Sequence, residues 1–272
     1  MDTKMPAINA LLHSADSLLI TAGAGMGVDS GLPDFRGNHG MWQVYPELGR
    51  QQVDFMSIAN PTAFRQNPHL AWGFYGHRLA LYRQTVPHRG FGVLLDIAKT
   101  VGVPYFVFTS NVDGQFDKAG FDPMRIYECH GSIHHLQCAK PCCHKIWTAD
   151  GLTPVIDNDK CEWLGELPTC PDCGGLARPN ILMFGDFAWQ SHRTDEQETR
   201  LHKFLTTHQN PVVIEIGAGT AIPTVRRFGD GFAPRLIRIN LREPATPQGG
   251  IGLGMTGVHG IDEIWRALNA NE

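Results

Sequence analysis

Short apolar runs recur at wide intervals along the chain and end in Gly, Thr or Asn: Ser17 to Ala22, Pro104 to Thr109, Val212 to Ile216 and Leu236 to Ile239. Runs of this kind have the pattern of parallel strands buried on both faces. Between them lie stretches with helical character, Pro61 to Tyr82, with its Phe64, Leu70, Phe74 and Leu81, and Phe91 to Lys99. The alternation predicts a doubly wound α/β sheet, whose ligands bind beyond the carboxyl ends of the strands. The unusual residues of the chain gather at those ends. Cys138 to Cys173, rich in Cys, Pro, Gly and Asp, breaks the pattern and has the composition of an inserted module. Glycines 249, 250, 252, 254 and 257 predict a surface loop.

Composition narrows the class. With 272 residues, 42% of them hydrophobic and 18% charged, the chain can bury a sizeable core. Thirty glycines and eighteen prolines argue for many turns and against a helical bundle. The formal charge of −4 leaves no electrostatic footprint for nucleic acid or an anionic membrane. No apolar run reaches the roughly 18 residues of a membrane span. No basic, apolar or Arg-rich leader precedes the first core-like segment. All seven cysteines lie between Cys129 and Cys173, too clustered for a disulfide scaffold, so a reducing cytoplasmic setting and a metal site are expected.

The first strand runs into Gly23-Ala24-Gly25-Met26-Gly27, a turn able to bring backbone N–H groups up to a pyrophosphate. It misses the dehydrogenase fingerprint, because Val28 stands where the third glycine belongs. Ser30-Gly31-Leu32-Pro33-Asp34-Phe35-Arg36-Gly37 then places an acid, an aromatic and an Arg in one tight loop. Taken from Gly23 to Gly37, this stretch resembles the first signature of the sirtuins, NAD-consuming protein deacylases, and departs from it chiefly at Gly27, where that family usually has Ser. The second strand end, Thr109-Ser110-Asn111-Val112-Asp113-Gly114, and Glu128-Cys129-His130-Gly131-Ser132 are similar to two further signatures of the family.

The resemblance implies that Gly23, Ala24, Gly25, Pro33, Asp34, Phe35 and Arg36 surround NAD. It further implies that Asn111 holds the nicotinamide ribose, that Asp113 binds the nicotinamide amide and that His130 is the general base. A histidine suits that role, because its ordinary pKa near 6.5 lets it take a proton near neutrality. His134 and His135 lack motif support and are expected as surface or packing residues. Ser110 replaces the family's Gln in the ribose pocket. Together with Gln115 to Gly120 and Gly217 to Pro223, it resembles a macrodomain-linked microbial subgroup associated with protein ADP-ribosyl transfer. That subgroup lacks the histidine that this chain keeps, so deacylation and ADP-ribosyl transfer both stay open. A non-catalytic NAD sensor and an NADase are the readings from other classes.

Cys138-x3-Cys142 followed by Cys170-x2-Cys173 has the spacing of a closed tetrahedral four-thiolate zinc site, structural because no ligand position is left for water. Cys143 is the competing second ligand, and Cys142 is preferred on the subgroup resemblance. Cys129 and Cys161 are left over. Arg178 to Asp186 resembles the family segment that pairs with an extended acyl-peptide by strand addition, with Asp186 for the usual Glu, and it brings Phe184 and Gly185 to the substrate. Gly217, Ala218 and Gly219 stand in the family's second NAD turn, without its two hydroxyls, and Asn240 falls near the adenosine ribose. Tyr75-Gly76-His77-Arg78 reproduces the Tyr-x-x-Arg spacing of sirtuins that prefer acidic acyl groups. Tyr and Arg one helical turn apart can together bind a carboxylate.

The expected protein is thus an α/β enzyme with a Rossmann-like doubly wound parallel sheet and an inserted small zinc-binding module. Residues 1–132 and 180–272 form the NAD-binding domain, with a helical insertion at about 40–85, and residues 133–179 form the module. NAD is consumed as co-substrate, zinc is structural, and the partner is an acylated protein or peptide, with no nucleic acid or membrane.

Overall fold

The computed structural model describes residues 4–33 and 37–270. Its strands are β1 (Ser17–Ala22), β2 (Tyr105–Thr109), β3 (Ile126–Glu128), β4 (Gly131–Cys138), β5 (Ile146–Thr148), β6 (Ile156–Asp157), β7 (Glu162–Trp163), β8 (Ala177–Ile181), β9 (Pro211–Ile216), β10 (Leu236–Ile239) and β11 (Ile251–Leu253). Six of them form one sheet in the order β11-β10-β9-β1-β2-β3, with every pair parallel. The chain leaves β1 toward β2 and β3 and later returns on the other side to β9, β10 and β11. A crevice therefore opens where β1 and β9 diverge, at their carboxyl ends.

Alternation inside the apolar runs explains why this sheet is buried twice. Leu18, Ile20 and Ala22 face a core shared with helices Met5–His13, Gly90–Val101 and Gly257–Asn269. Leu19, Phe106, Phe108 and Val213 face the opposite core, under helices His192–Thr207 and Thr224–Asp230. Full burial of a Leu or Ile side chain contributes about 1.5–3 kcal/mol, so these central strands carry most of the sheet's stability.

The long apolar stretch expected from Pro61 to Tyr82 is two helices, Pro61–Gln66 and Pro68–Gln84. Asn60 and Asn67 each precede a proline and cap the helix that follows, accepting from Thr62 N at 2.8 Å and from Leu70 N at 3.1 Å. Pro68 has no N–H for the first helix to use and fits the first turn of the second. The glycine-rich stretch near residue 250 also differs from expectation, because it contains the edge strand β11. A Cβ on Gly252 would lie 2.0 Å from the Pro244 carbonyl, so glycine there permits strand packing instead of signalling a loop.

The cysteine segment folds around a three-stranded antiparallel sheet, β5-β4-β8, with β6 and β7 as a separate hairpin. It does not have a core of its own. Ile133, Leu136, Cys161 and Trp163 pack in one cluster with Met41, Phe64, Trp72, Phe74 and Tyr75 of the helical segment. The approach is close: a Cβ on Gly73 would lie 1.9 Å from the Cys161 carbonyl.

Candidate active site

Beyond the carboxyl ends of the strands, the glycine turns after β1 and β9 touch. Gly25 N donates to the Gly217 carbonyl at 3.0 Å, and Gly23 N to that of Ile216 at 3.0 Å. A Cβ on Gly25 would lie 2.6 Å from Gly217 Cα, and Gly217 itself has a φ of +62°. Only glycine lets these backbones meet, and the meeting leaves a cradle of main-chain atoms for a diphosphate. The turn after β9 needs no hydroxyls to hold its shape. Asn240 Nδ2 and Arg226 Nη1 both donate to the Ala218 carbonyl, at 2.9 and 3.1 Å.

The end of β2 is tied to the same turn. Thr109 Oγ1 donates to the Ala22 carbonyl at 2.9 Å and accepts from Asn111 N at 3.0 Å, while Asn111 Nδ2 donates to the Gly23 carbonyl at 3.0 Å. Asp113, two residues on, is buried, and Oδ1 accepts from Gln115 N at 2.9 Å. Burial pushes its carboxyl up to about 6, with nearby Glu128 adding to the rise against the backbone hydrogen bond.

His130 sits between β3 and β4, with its carbonyl accepting from Leu182 N at 2.9 Å and its Nε2 3.4 Å from Thr224 Oγ1. Desolvation lowers its pKa below the usual imidazole value, and the Ser110 carbonyl beside it works the other way. The ring is therefore a neutral acceptor at neutral pH, the state a general base requires.

A single cavity of about 590 Å³ collects most of the residues singled out from the sequence. Gly23, Ala24, Pro33, Ser110, Asn111 and Asp113 line one part, with Gly217, Ala218 and Gly219 of the second turn; His130 lines it too. Tyr75, Arg78, Phe184 and Gly185 also reach it. Gly25 and Asn240 line instead a smaller recess of about 100 Å³ that shares Gly217 with it. Asp34, Phe35 and Arg36 lie outside the described residues. His134 and His135 line a second cavity of about 580 Å³ that backs onto Asn111 and Asp113, and His134 Nε2 bonds the Asp113 carbonyl at 3.0 Å.

Elsewhere on the cavity wall, the Arg78 guanidinium lies over the rings of Phe74, Tyr75 and Tyr82 at 5.2, 5.8 and 5.4 Å and donates to Tyr82 Oη from Nε and Nη2, at 2.9 and 2.7 Å. Burial raises the Tyr75 hydroxyl to about 12, so it stays a hydrogen-bond donor. Tyr82 was not singled out from the sequence, although its place four residues after Arg78 on a helix is a legible signal. Thr224 had none, being far from His130 along the chain. The shorter Asp186 still serves: Arg178 grips it with both Nη atoms at 2.8 Å in a pair that is 1% and 0% exposed.

The thiols of Cys138, Cys142, Cys170 and Cys173 all lie within 4.8 Å of one another. Cys138 and Cys173 are 3.8 Å apart and Cys142 and Cys170 3.6 Å. A tetrahedron with Zn–S bonds of about 2.3 Å has edges of about 3.8 Å, so the set fits zinc. Cys142, and not Cys143, completes it. Of the three remaining thiols, Cys143 is half-buried, while Cys129 and Cys161 are buried and raised to about 12 by desolvation, which makes those two inert.

A glycine cradle at the switch point, a half-buried histidine whose pKa is lowered by desolvation and a four-thiol cluster that fits zinc are the parts of an α/β nucleotide-binding enzyme with a structural metal site. Comparison with known proteins gives the family. A model of the Sir2 family matches residues 23–222. NAD-dependent protein deacylase 2 of Pyrobaculum aerophilum is 33% identical over 238 residues, 86% of this chain and 84% of that one. The NAD-dependent protein deacylase of Thermococcus sibiricus is 31% identical over 226 residues, 82% of this chain and 76% of that relative. A Sir2 homologue crystallised with NAD superposes with a TM-score of 0.74 at 23% identity, covering 98% of this chain and 94% of that one. The chain belongs to the Sir2 family.

Proposed function

We propose that this chain is an NAD-dependent protein lysine deacylase in which His130 is the general base. The observation that carries this reading is the common cavity, where the two glycine turns, Asn111, Asp113 and His130 meet the Tyr75 and Arg78 pair and the Phe184-Gly185 turn that follows β8. Deacylase is also the activity named for the two relatives. The residues suit NAD: the glycine turns Gly23 to Gly25 and Gly217 to Gly219 for the diphosphate, through the N–H groups of Ala24, Ala218 and Gly219, since those of Gly23, Gly25 and Gly217 already bond main-chain carbonyls, Asn240 for the adenosine ribose, Ser110 and Asn111 for the nicotinamide ribose and Asp113 for the carboxamide. Pro33 lines the cavity where the first signature segment enters the undescribed residues. Bound there, NAD would supply an activated ribose carbon able to exchange nicotinamide for the acyl oxygen of the lysine amide. His130 takes a proton from a ribose hydroxyl, and its lowered pKa places the acid limb of the rate profile below pH 6.5. Tyr75 and Arg78 would take the carboxylate of an acidic acyl chain. The zinc thiolates hold the module, and their need to stay reduced supports a cytoplasmic site of action.

Incubation with NAD and acetyl- or succinyl-lysine peptides, followed by mass spectrometry, tests the reading. Nicotinamide, free lysine peptide and O-acyl-ADP-ribose are expected, reduced about 10²–10⁴-fold in His130→Ala. The second reading, protein ADP-ribosyl transfer, is favoured by Ser110 in the cavity; protein gaining ADP-ribose with no loss of acyl groups would establish it and reject deacylation.

A further inference from the structure

Residues 181–186 line the cavity, and the next residue, Phe187, is 102% exposed, its ring wholly in solvent. Aromatic rings are among the groups that folding most favours burying, so one held in water is informative when its backbone is rigid. Here the backbone is pinned on both sides. Phe184 N donates to the Ala59 carbonyl at 2.9 Å, and Gly185, at φ +63°, reverses the chain. The Asp186 carboxylate, locked in its buried pair with Arg178, accepts from Met183 N at 3.4 Å and from Ala188 N at 3.2 Å. Beyond Phe187, the Ala188 carbonyl accepts from the buried Gln137 Nε2 at 2.9 Å. Phe187 is thus presented on a fixed turn one residue beyond the last lining residue of this stretch, Asp186. Two other large apolar side chains left in solvent, Leu182 at 39% and Ile222 at 45% exposure, line that same cavity.

We propose that Phe187, with Leu182 and Ile222, forms an apolar lip that binds an aromatic or aliphatic residue flanking the acylated lysine of the protein substrate. This inference rests on the deacylase reading for the identity of its occupant. A rigid aromatic group loses little entropy on contact and serves as an anchor, whereas a basic flank would surrender hydration against Leu182 and Ile222. The substrates selected are segments in which the modified lysine follows or precedes an apolar residue, in preference to lysine- and arginine-rich tails.

The test uses three fluorescent peptides with the same acyl-lysine and either Phe, Ser or Arg beside it, with binding measured by anisotropy apart from turnover. The whole protein should bind the Phe peptide about tenfold more tightly than the Ser or Arg peptide. Phe187→Ser should erase that difference and Phe187→Leu keep part of it. Both variants should keep the melting temperature and the kcat/KM for acyl-lysine without flanks. Equal binding of all three peptides, a preference for Arg, or a preference that survives in Phe187→Ser would overturn the lip. Binding with flank preference but no turnover of any acyl peptide would leave the lip standing and reject the deacylase reading.

Discussion

The parallel sheet holds itself together by apolar burial, with Leu18, Leu19, Ile20, Val212, Val213 and Ile214 all at 1% exposure or less. The cysteine module, whose strands run from two to eight residues, instead leans on four thiols and on a core shared with the helices around Trp72 and Tyr75. A small segment that cannot bury enough surface alone acquires a metal and a neighbour. The difference also divides the labour at the cavity. The sheet's strand ends supply the glycine turns, Asn111 and Asp113, whereas the helical side and the turn after β8 supply Tyr75, Arg78, Phe184 and Gly185. Chemistry on NAD would be tied to the rigid half, and choice of acyl group and peptide to the half that can vary without disturbing the sheet.

The largest effect should come from Cys170→Ala. Structural zinc contributes on the order of 10 kcal/mol to small metal modules, so the variant should lose its zinc, and deacylation should fall at least about a hundredfold. Far-UV circular dichroism should retain most of its signal, because the six-stranded sheet does not depend on the metal. Full activity in a zinc-free protein, measured by metal analysis beside the assay, would collapse the contrast between the two regions.

A smaller effect is expected at Asp113, on the sheet side. Its folded pKa of about 6 lies above the ordinary carboxyl value near 4, so folding favours the protonated form. The penalty for the buried charge is absent below about pH 4, grows as the pH rises, and is complete above about pH 6. Asp113→Asn should therefore raise stability by about 1–3 kcal/mol at pH 7 and leave it unchanged at pH 4, while weakening NAD turnover. Thermal melts at the two pH values decide the matter, and an equal shift at both would remove this account of the site's strain.

The smallest effect concerns selectivity. Arg78→Met should lower kcat/KM for succinyl-lysine about tenfold more than for acetyl-lysine, since only the former has a carboxylate for the guanidinium. Steady-state rates with both peptides measure the ratio, and equal losses would confine Arg78 to packing among Phe74, Tyr75 and Tyr82.

Much of the sheet was legible because each central strand is a contiguous apolar run, a signal carried by neighbouring residues. The split at Asn67-Pro68 was legible too, in the cap and the proline, although the apolar stretch across it suggested one helix. β11 was not, because glycine there serves close packing against Pro244 and has the composition of a loop. At the site, motifs located the turns, Asn111, Asp113 and His130, but not Thr224 beside His130 or the recess that takes Asn240.

By itself, then, the sequence determined which residue types stand at the strand ends and which cysteines are spaced to bind a metal, because those are properties of local order and spacing. Tertiary structure alone decided that Cys142 and not Cys143 joins the thiol cluster, that the helical segment and the module share one core, and which cavity each side chain faces. Those outcomes depend on groups distant along the chain coming to within a few ångströms, and global packing sets such distances where periodicity cannot.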